Sequence, residues 1–136
     1  MDKAYKMEKA YKYGHRKMIV WQNLDKIEAF IQNHVLGYIP KDCFKLRDQI
    51  DRSCSSCVAN FIEGYYSGSI REYIRFLRYS KRSQAELQDW IRRCYHKSLL
   101  PKSTHYEFDD LAIRTLYLTN RLLSSLMQKI IKPSQP

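Results

Sequence analysis

Apolar residues recur along this chain at steps of three and four, the spacing that lines side chains up on one face of an α-helix. From about Lys17 to Leu36 they are Ile19 and Val20, Leu24, Ile27, Phe30 and Ile31, and Val35, which predicts a first helix. Gly37 follows in C-cap position, and Pro40 blocks any continuation. A second helix is expected from about Asp42 to Tyr66, with Leu46, Ile50, Cys54, Cys57, Phe61 and Tyr65 on a common stripe. Its middle, SCSSCVAN, is rich in small residues, so a neighbouring helix can approach closely there. Ser69, with Glu72 three residues later, makes a capping box and opens a third helix that ends near Leu99, ahead of Pro101. The apolar positions of this helix, Tyr73, Ile74, Leu77, Leu87, Ile91, Cys94 and Tyr95, are interrupted by a polar middle from Ser80 to Gln84. Thr104 and Glu107 form a second capping box, with Asp109 and Asp110 in the first turn, where the helix dipole favours anions. The fourth helix then runs to Ile131 with Lys129 and Lys132 at its end, and it carries Leu111, Leu118, Leu122 and Ile130 on one stripe. Leu116, Leu123, Leu126 and Met127 are displaced from that stripe, so the helix is expected to bury more than one side. Four amphipathic helices joined by short loops predict an all-α fold, an antiparallel up-down-up-down four-helix bundle.

Composition fits one such domain. A chain of 136 residues removes roughly two-thirds of its unfolded surface from water on folding, so a core is possible without staples. Hydrophobic residues make up 44% and aromatics 13%, which argues against a disordered chain despite a net charge of +10. The expected division is a basic N-terminal arm over residues 1–16, the bundle over 17–132 and a tail over 133–136. The arm contains the echo KAYKMEKAYK, and Met1 to Lys17 holds six Lys or Arg against Asp2 and Glu8, a local net of +4. Its lysines step by three, which drifts around a helix and keeps no single face. No apolar run approaches the ~18 residues needed to span a bilayer, so no membrane is expected as a partner. The expected compartment is the cytoplasm, where thiols stay reduced.

Catalytic and metal chemistry find no support in the spacing. His15, His34, His96 and His105 are scattered, and no glycine-rich phosphate loop or nucleophile elbow is present. Cys54 and Cys57 form a CxxC, but Cys43 and Cys94 bring no second close pair, so the expectation is small buried side chains and not a zinc or redox site. We expect no enzyme, no metal and no cofactor.

The strongest chemical signal is basic. Ser69 to Arg82, SIREYIRFLRYSKR, carries five cations and one acid. Arg71, Arg75, Arg78 and Arg82 fall at i, i+4, i+7 and i+11, one narrow strip about 16 Å long. Like charges at this spacing repel by a few tenths of a kcal/mol per pair, and a solvated face gains nothing from keeping them. Arginine's planar fork suits phosphate, so the strip points to a polyanion. Lys81, Arg92, Arg93 and Lys97 extend the field, with Glu86 and Asp89 interrupting it. Tyr66 and Tyr79 are candidates to stack on unpaired bases, while Tyr73 is expected inside.

Residues Cys57 to Leu87 resemble a known family, the four-helix-bundle proteins encoded in intervening sequences of bacterial large-subunit ribosomal RNA. These are related to the accessory variability proteins of diversity-generating retroelements. The resemblance rests on Val20, Trp21 and Gln22; on Gln49, Ile50 and Arg52; on Ser56, Ala59, Asn60, Glu63 and Gly64; and on Ser69, Glu72 to Leu77, Ser83, Glu86 and Leu87. Asp51 stands where the family commonly has arginine, Val58 replaces a proline, and Arg82 replaces a glycine and so adds charge to the strip.

This resemblance implies a homopentamer arranged as a barrel, without enzymatic activity. For the retroelement branch it implies RNA as partner and a reverse transcriptase that the protein supports in complementary-DNA synthesis and mutagenic retrohoming; DNA or an RNA/DNA hybrid stays open as a further ligand. The ribosomal branch implies a structural or protein-interaction oligomer. Trp21, Asn60, Glu63 and Gly64 are family signature positions, read as structural. Asn60 and Glu63 are expected as a buried polar pair beside the close packing at Gly64.

Overall fold

The computed structural model describes residues 14–131. Their regular structure is helical: α1 (Ile19–Phe30), α2 (Phe44–Tyr65), α3 (Ile70–His96) and α4 (Lys102–Ile131), with a 3-10 turn at Gly14–Lys17 ahead of α1. The expected arm lies outside the described residues as far as residue 13, and so does the expected tail. Residues 14–16 are part of the turn that packs on the bundle.

Pairings across the bundle run in opposite numerical order. Ser56 meets Ser83 at 2.8 Å and the Cys57 carbonyl accepts from Ser80 at 2.7 Å, while Gly64 lies against Tyr73 and Phe76. Between α3 and α4, Gln84 reaches Thr119, Arg78 reaches Met127, and Tyr95 stacks on His105. Phe30 of α1 packs on Phe108 of α4. Neighbouring helices are therefore antiparallel, and α1 closes the bundle against both α2 and α4.

The core has two apolar clusters. One gathers Ile27, Ile31, Val35, Ile50, Leu87, Ile91 and Phe108; the other gathers Val20, Leu24, Phe61, Ile74, Leu77, Leu123 and Leu126. Between them lies the polar middle of α3. Ser80, Ser83 and Gln84 are buried there with Thr115 and Thr119. Gln84 Nε2 donates to Thr119 Oγ1 at 3.1 Å, and Thr119 Oγ1 donates to the Thr115 carbonyl at 2.8 Å. The central face of α4 thus runs through Phe108, Ala112, Thr115, Thr119, Leu123 and Leu126, with Leu111, Leu118, Leu122 and Ile130 at its flanks. Leucine spacing alone had placed that face to one side, because threonines read as polar until their hydroxyls are bonded to the preceding turn.

Three expected helix ends differ. Beyond Phe30 the chain widens into a π-helical turn, Ile31–Val35, and then tightens into a 3-10 turn, Leu36–Tyr38. Ile27, Ile31, Val35 and Ile39 are all buried at steps of four. Each step of four advances about 40° past a full α-turn, and the wider turn absorbs that drift and keeps the row on the core. Gly37 is not a left-handed C-cap, since the positive-φ glycines are Gly14 and Gly68. Arg47 does the capping from α2: its Nη1 donates to the Leu36 carbonyl at 2.6 Å and to the Ile39 carbonyl at 2.9 Å. The start of α4 also lies earlier than expected. Thr104 is buried within the helix and no acid occupies the first turn, so the second capping box does not form. At α3 the Ser69 cap holds, with Oγ accepting from Glu72 N at 3.3 Å. Its far end is a Schellman motif: Leu99 N donates to the Cys94 carbonyl, Ser98 N to that of Tyr95, and Ser98 takes φ 61° where glycine is usual.

Arg47→Ala leaves the Ile39 carbonyl without its donor, while the Leu36 carbonyl keeps the bond from Ile39 N, a loss of about 1–3 kcal/mol. It should lower the urea midpoint with an unchanged m-value. Ser98→Gly relieves the left-handed strain and should raise stability by about 1 kcal/mol in the same assay.

Candidate nucleic-acid interface

Ser80 and Leu77 turn inward on α3, so the opposite face of the helix carries the arginines. Arg71, Arg75, Arg78 and Arg82 are all exposed. Arg75 is engaged by its neighbours: its Nη1 lies 3.3 Å from Glu72, and its Nε donates to Tyr79 Oη at 3.0 Å. Arg71, Arg78 and Arg82 have no acidic partner among the described residues. Lys81 sits half-buried beside them.

The two outer arginines of the expected field are arranged differently. Asp89 accepts from Arg92 Nη2 at 2.9 Å and from Arg93 Nε at 2.9 Å. Hydrogen bonds from Arg92, and then the charge of Arg93, hold the Asp89 carboxyl below the usual carboxylate range. Arg93 also lies over Trp90 at 4.9 Å. One carboxylate thus offsets part of this pair's charge, and the free positive surface is concentrated in the first half of α3.

The two stacking candidates sit in different settings. The guanidinium carbons of Arg75 and Arg82 lie 5.6 and 5.3 Å from the centroid of Tyr79, and Phe76 meets that ring edge-on. Tyr66 is exposed just beyond the end of α2, and its Oη is 2.9 Å from His15 Nδ1. His15 also meets Trp21 edge-on at 5.1 Å. Gly14, at φ +66°, packs so near that an added Cβ would be 3.0 Å from Tyr66 Oη. Tyr73 is half-buried, with its hydroxyl enclosed and its pKa pushed up to about 12 by burial.

The signature positions serve packing in different ways. A Cβ at Gly64 would stand 3.0 Å from Phe76 Cβ and 3.2 Å from the Tyr73 carbonyl, so glycine is what lets α3 approach. Asn60 does not pair with Glu63 as expected. Its Nδ2 donates to the Ser56 carbonyl at 2.9 Å and lies 3.0 Å from Ser56 Oγ, while Glu63 is exposed. Cys54 and Cys57 are buried; burial pushes the Cys54 thiol up to about 12 and raises Cys57 as well, and Cys57 Sγ donates to the Ser53 carbonyl. Among the described residues no three His, Cys, Asp or Glu converge as a metal site, and no helix is long and apolar enough to cross a membrane.

A model of the 23S rRNA-intervening sequence protein family matches residues 16–130. The chain belongs to this family. The match spans all four helices except the last residue of α4, so it takes in the whole arginine strip. A search of curated proteins gives no match.

Sequence spacing did not find the residues that the arginines meet across the bundle. Met127, Ile130 and Ile131 come beside Arg71 and Arg78 only through the register of α4 on α3. His15, one of the four scattered histidines, docks the turn before α1 onto Tyr66. Burial, and then the charge of Arg16, push His15 below its ordinary 6.5. The unfolded chain therefore takes up the proton more readily than the folded one, so docking is complete above about pH 6.5 and weakens as pH falls through the lowered value. Amide exchange at Met18, bonded to the His15 carbonyl, should rise on acidification when taken relative to its intrinsic base-catalysed rate. Tyr66→Phe should produce the same rise at neutral pH.

Proposed function

We propose that this protein is a non-enzymatic, cytoplasmic RNA-binding accessory protein whose arginine strip on α3 grips phosphates. The observation that carries the reading is the set Arg71, Arg78 and Arg82, exposed on the face opposite the core with no acidic partner among the described residues. Arg75 and Lys81 add to the same surface, and Arg92 and Arg93 form a weaker extension around Asp89. A net charge of +10 supports a polyanionic partner, because like charge on a compact domain needs counter-charge. Such binding is dominated by phosphate contacts, shows little base selectivity through those contacts, and weakens steeply with salt.

In this reading the protein works as a homopentamer beside the reverse transcriptase of a diversity-generating retroelement, in complementary-DNA synthesis and mutagenic retrohoming. Exposed Phe44 on α2, with Ile113 and Tyr117 on α4, supports assembly through outer helix faces. The reverse transcriptase rests on the relation between the two branches of proteins. A structural or protein-interaction oligomer encoded in a ribosomal RNA intervening sequence is the second reading, favoured by the family match and by the same apolar side chains.

Fluorescence anisotropy of a structured RNA across a salt series, on protein whose mass is fixed by light scattering, tests the first reading. Three phosphate contacts per protomer give a log–log salt slope of about −2 to −3. Arg78→Glu with Arg82→Glu should flatten that slope and weaken binding at least about tenfold, with helical circular dichroism unchanged. No binding at low salt by a well-folded oligomer would decide for the second reading.

A further inference from the structure

Where the first half of α3 meets the end of α4, the arginine face has an apolar floor. A cavity of about 230 Å³ opens there, lined by Arg71, Ile74, Arg78, Met127, Ile130 and Ile131. Ile74 is buried beneath it, whereas Met127 is 37% and Ile131 73% exposed. Arg78 lies across the opening with Nη2 3.6 Å from Met127 Sδ. A thioether is a weak acceptor, so a phosphate oxygen readily takes its place.

Size and charge narrow the occupant. The cavity is smaller than the roughly 300–1,000 Å³ of sites for drug-sized ligands, which suits one flat heterocycle. Arg71 and Arg78 lie on one side of α3, about 10 Å apart along its axis. Stacked nucleotides rise by about 3.4 Å each, so the two arginines bracket a short strand segment with room for one nucleotide turned inward. The Tyr79 ring on this face is already covered, because Arg75 and Arg82 both lie over it. The groove is also recessed between helices, and bases paired inside a duplex do not reach such a floor.

We propose that this groove receives one unpaired base of an RNA strand, with the flanking phosphates held by Arg71 and Arg78, so that the protein selects single-stranded or looped RNA over continuous duplex. The inference rests on the RNA reading of the strip, yet it fails separately. Duplex has the higher charge density, and counterion release per contact is larger for it than for a single strand. Charge alone therefore favours duplex, and a preference for single strand has to come from the base.

The test is anisotropy of the full chain across one salt series, with a single-stranded RNA and with the blunt duplex it forms with its complement, the two compared at equal salt. The expected result is at least about tenfold tighter binding of the single strand. Met127→Ala with Ile131→Ala changes two exposed positions and no charge; it should cut that preference at least about fivefold and leave the salt slope as it was. Equal binding of both RNAs by the unaltered protein, or a preference that survives the double substitution, overturns the base-binding groove and leaves the phosphate strip standing. No binding of either RNA at low salt overturns both.

Discussion

Ser80 on α3 donates to the Cys57 carbonyl of α2 at 2.7 Å, and about two turns further along α2 Gly64 admits Phe76 and Tyr73 at a distance that any Cβ would obstruct. These contacts set the register and rotation of α3 on α2, and the remaining features inherit both. Rotation decides which residues of α3 are inside: Ile74, Leu77, Ser80, Gln84, Leu87 and Ile91 are buried. The opposite side, with Arg71, Arg75, Arg78 and Arg82, can then only face water. Register decides what α4 brings alongside, because Gln84 to Thr119 fixes the height at which Met127 and Ile131 come level with Arg78 and Arg71.

Electrostatics alone would not place four arginines on one strip, since each pair repels its neighbour slightly. The structure eases this unevenly. Arg75 takes Glu72 and the Tyr79 hydroxyl, and Arg82 lies over the Tyr79 ring. Arg78 has only a sulfur, and Arg71 has no acidic partner among the described residues. The least satisfied cations are therefore the two beside the apolar groove, where charge and hydrophobic surface meet.

Much of the fold was legible because helix periodicity is a property of local sequence. The four helices, the Ser69 cap, the small-residue crossing at SCSSCVAN and the arginine strip all follow from spacing. The misjudged features depend on partners distant in sequence. Gly37 reads as a C-cap until Arg47, on another helix, supplies the donors for the carbonyls. The apolar face of α4 is displaced by Thr115 and Thr119, whose polarity disappears into bonds with their own helix. Asn60 and Glu63, three apart, look like a pair; one turns back to Ser56 and the other faces solvent. The strip was visible from sequence, while the groove beside it was not, because its two walls are some fifty residues apart.

The buried belt of Ser80, Ser83, Gln84, Thr115 and Thr119 also divides the interior into two apolar lobes. Hydrogen bonds across such a belt contribute only about 1 kcal/mol each, so cohesion between the lobes is weaker than cohesion within them. The interior is thus packed as two clusters strung on the same long helices, one under the arginine strip and one around Ile27, Ile50, Ile91 and Phe108. The arginine strip is carried by the lobe of Ile74 and Leu77, so a change in the packing of that lobe reaches the strip before it reaches the other.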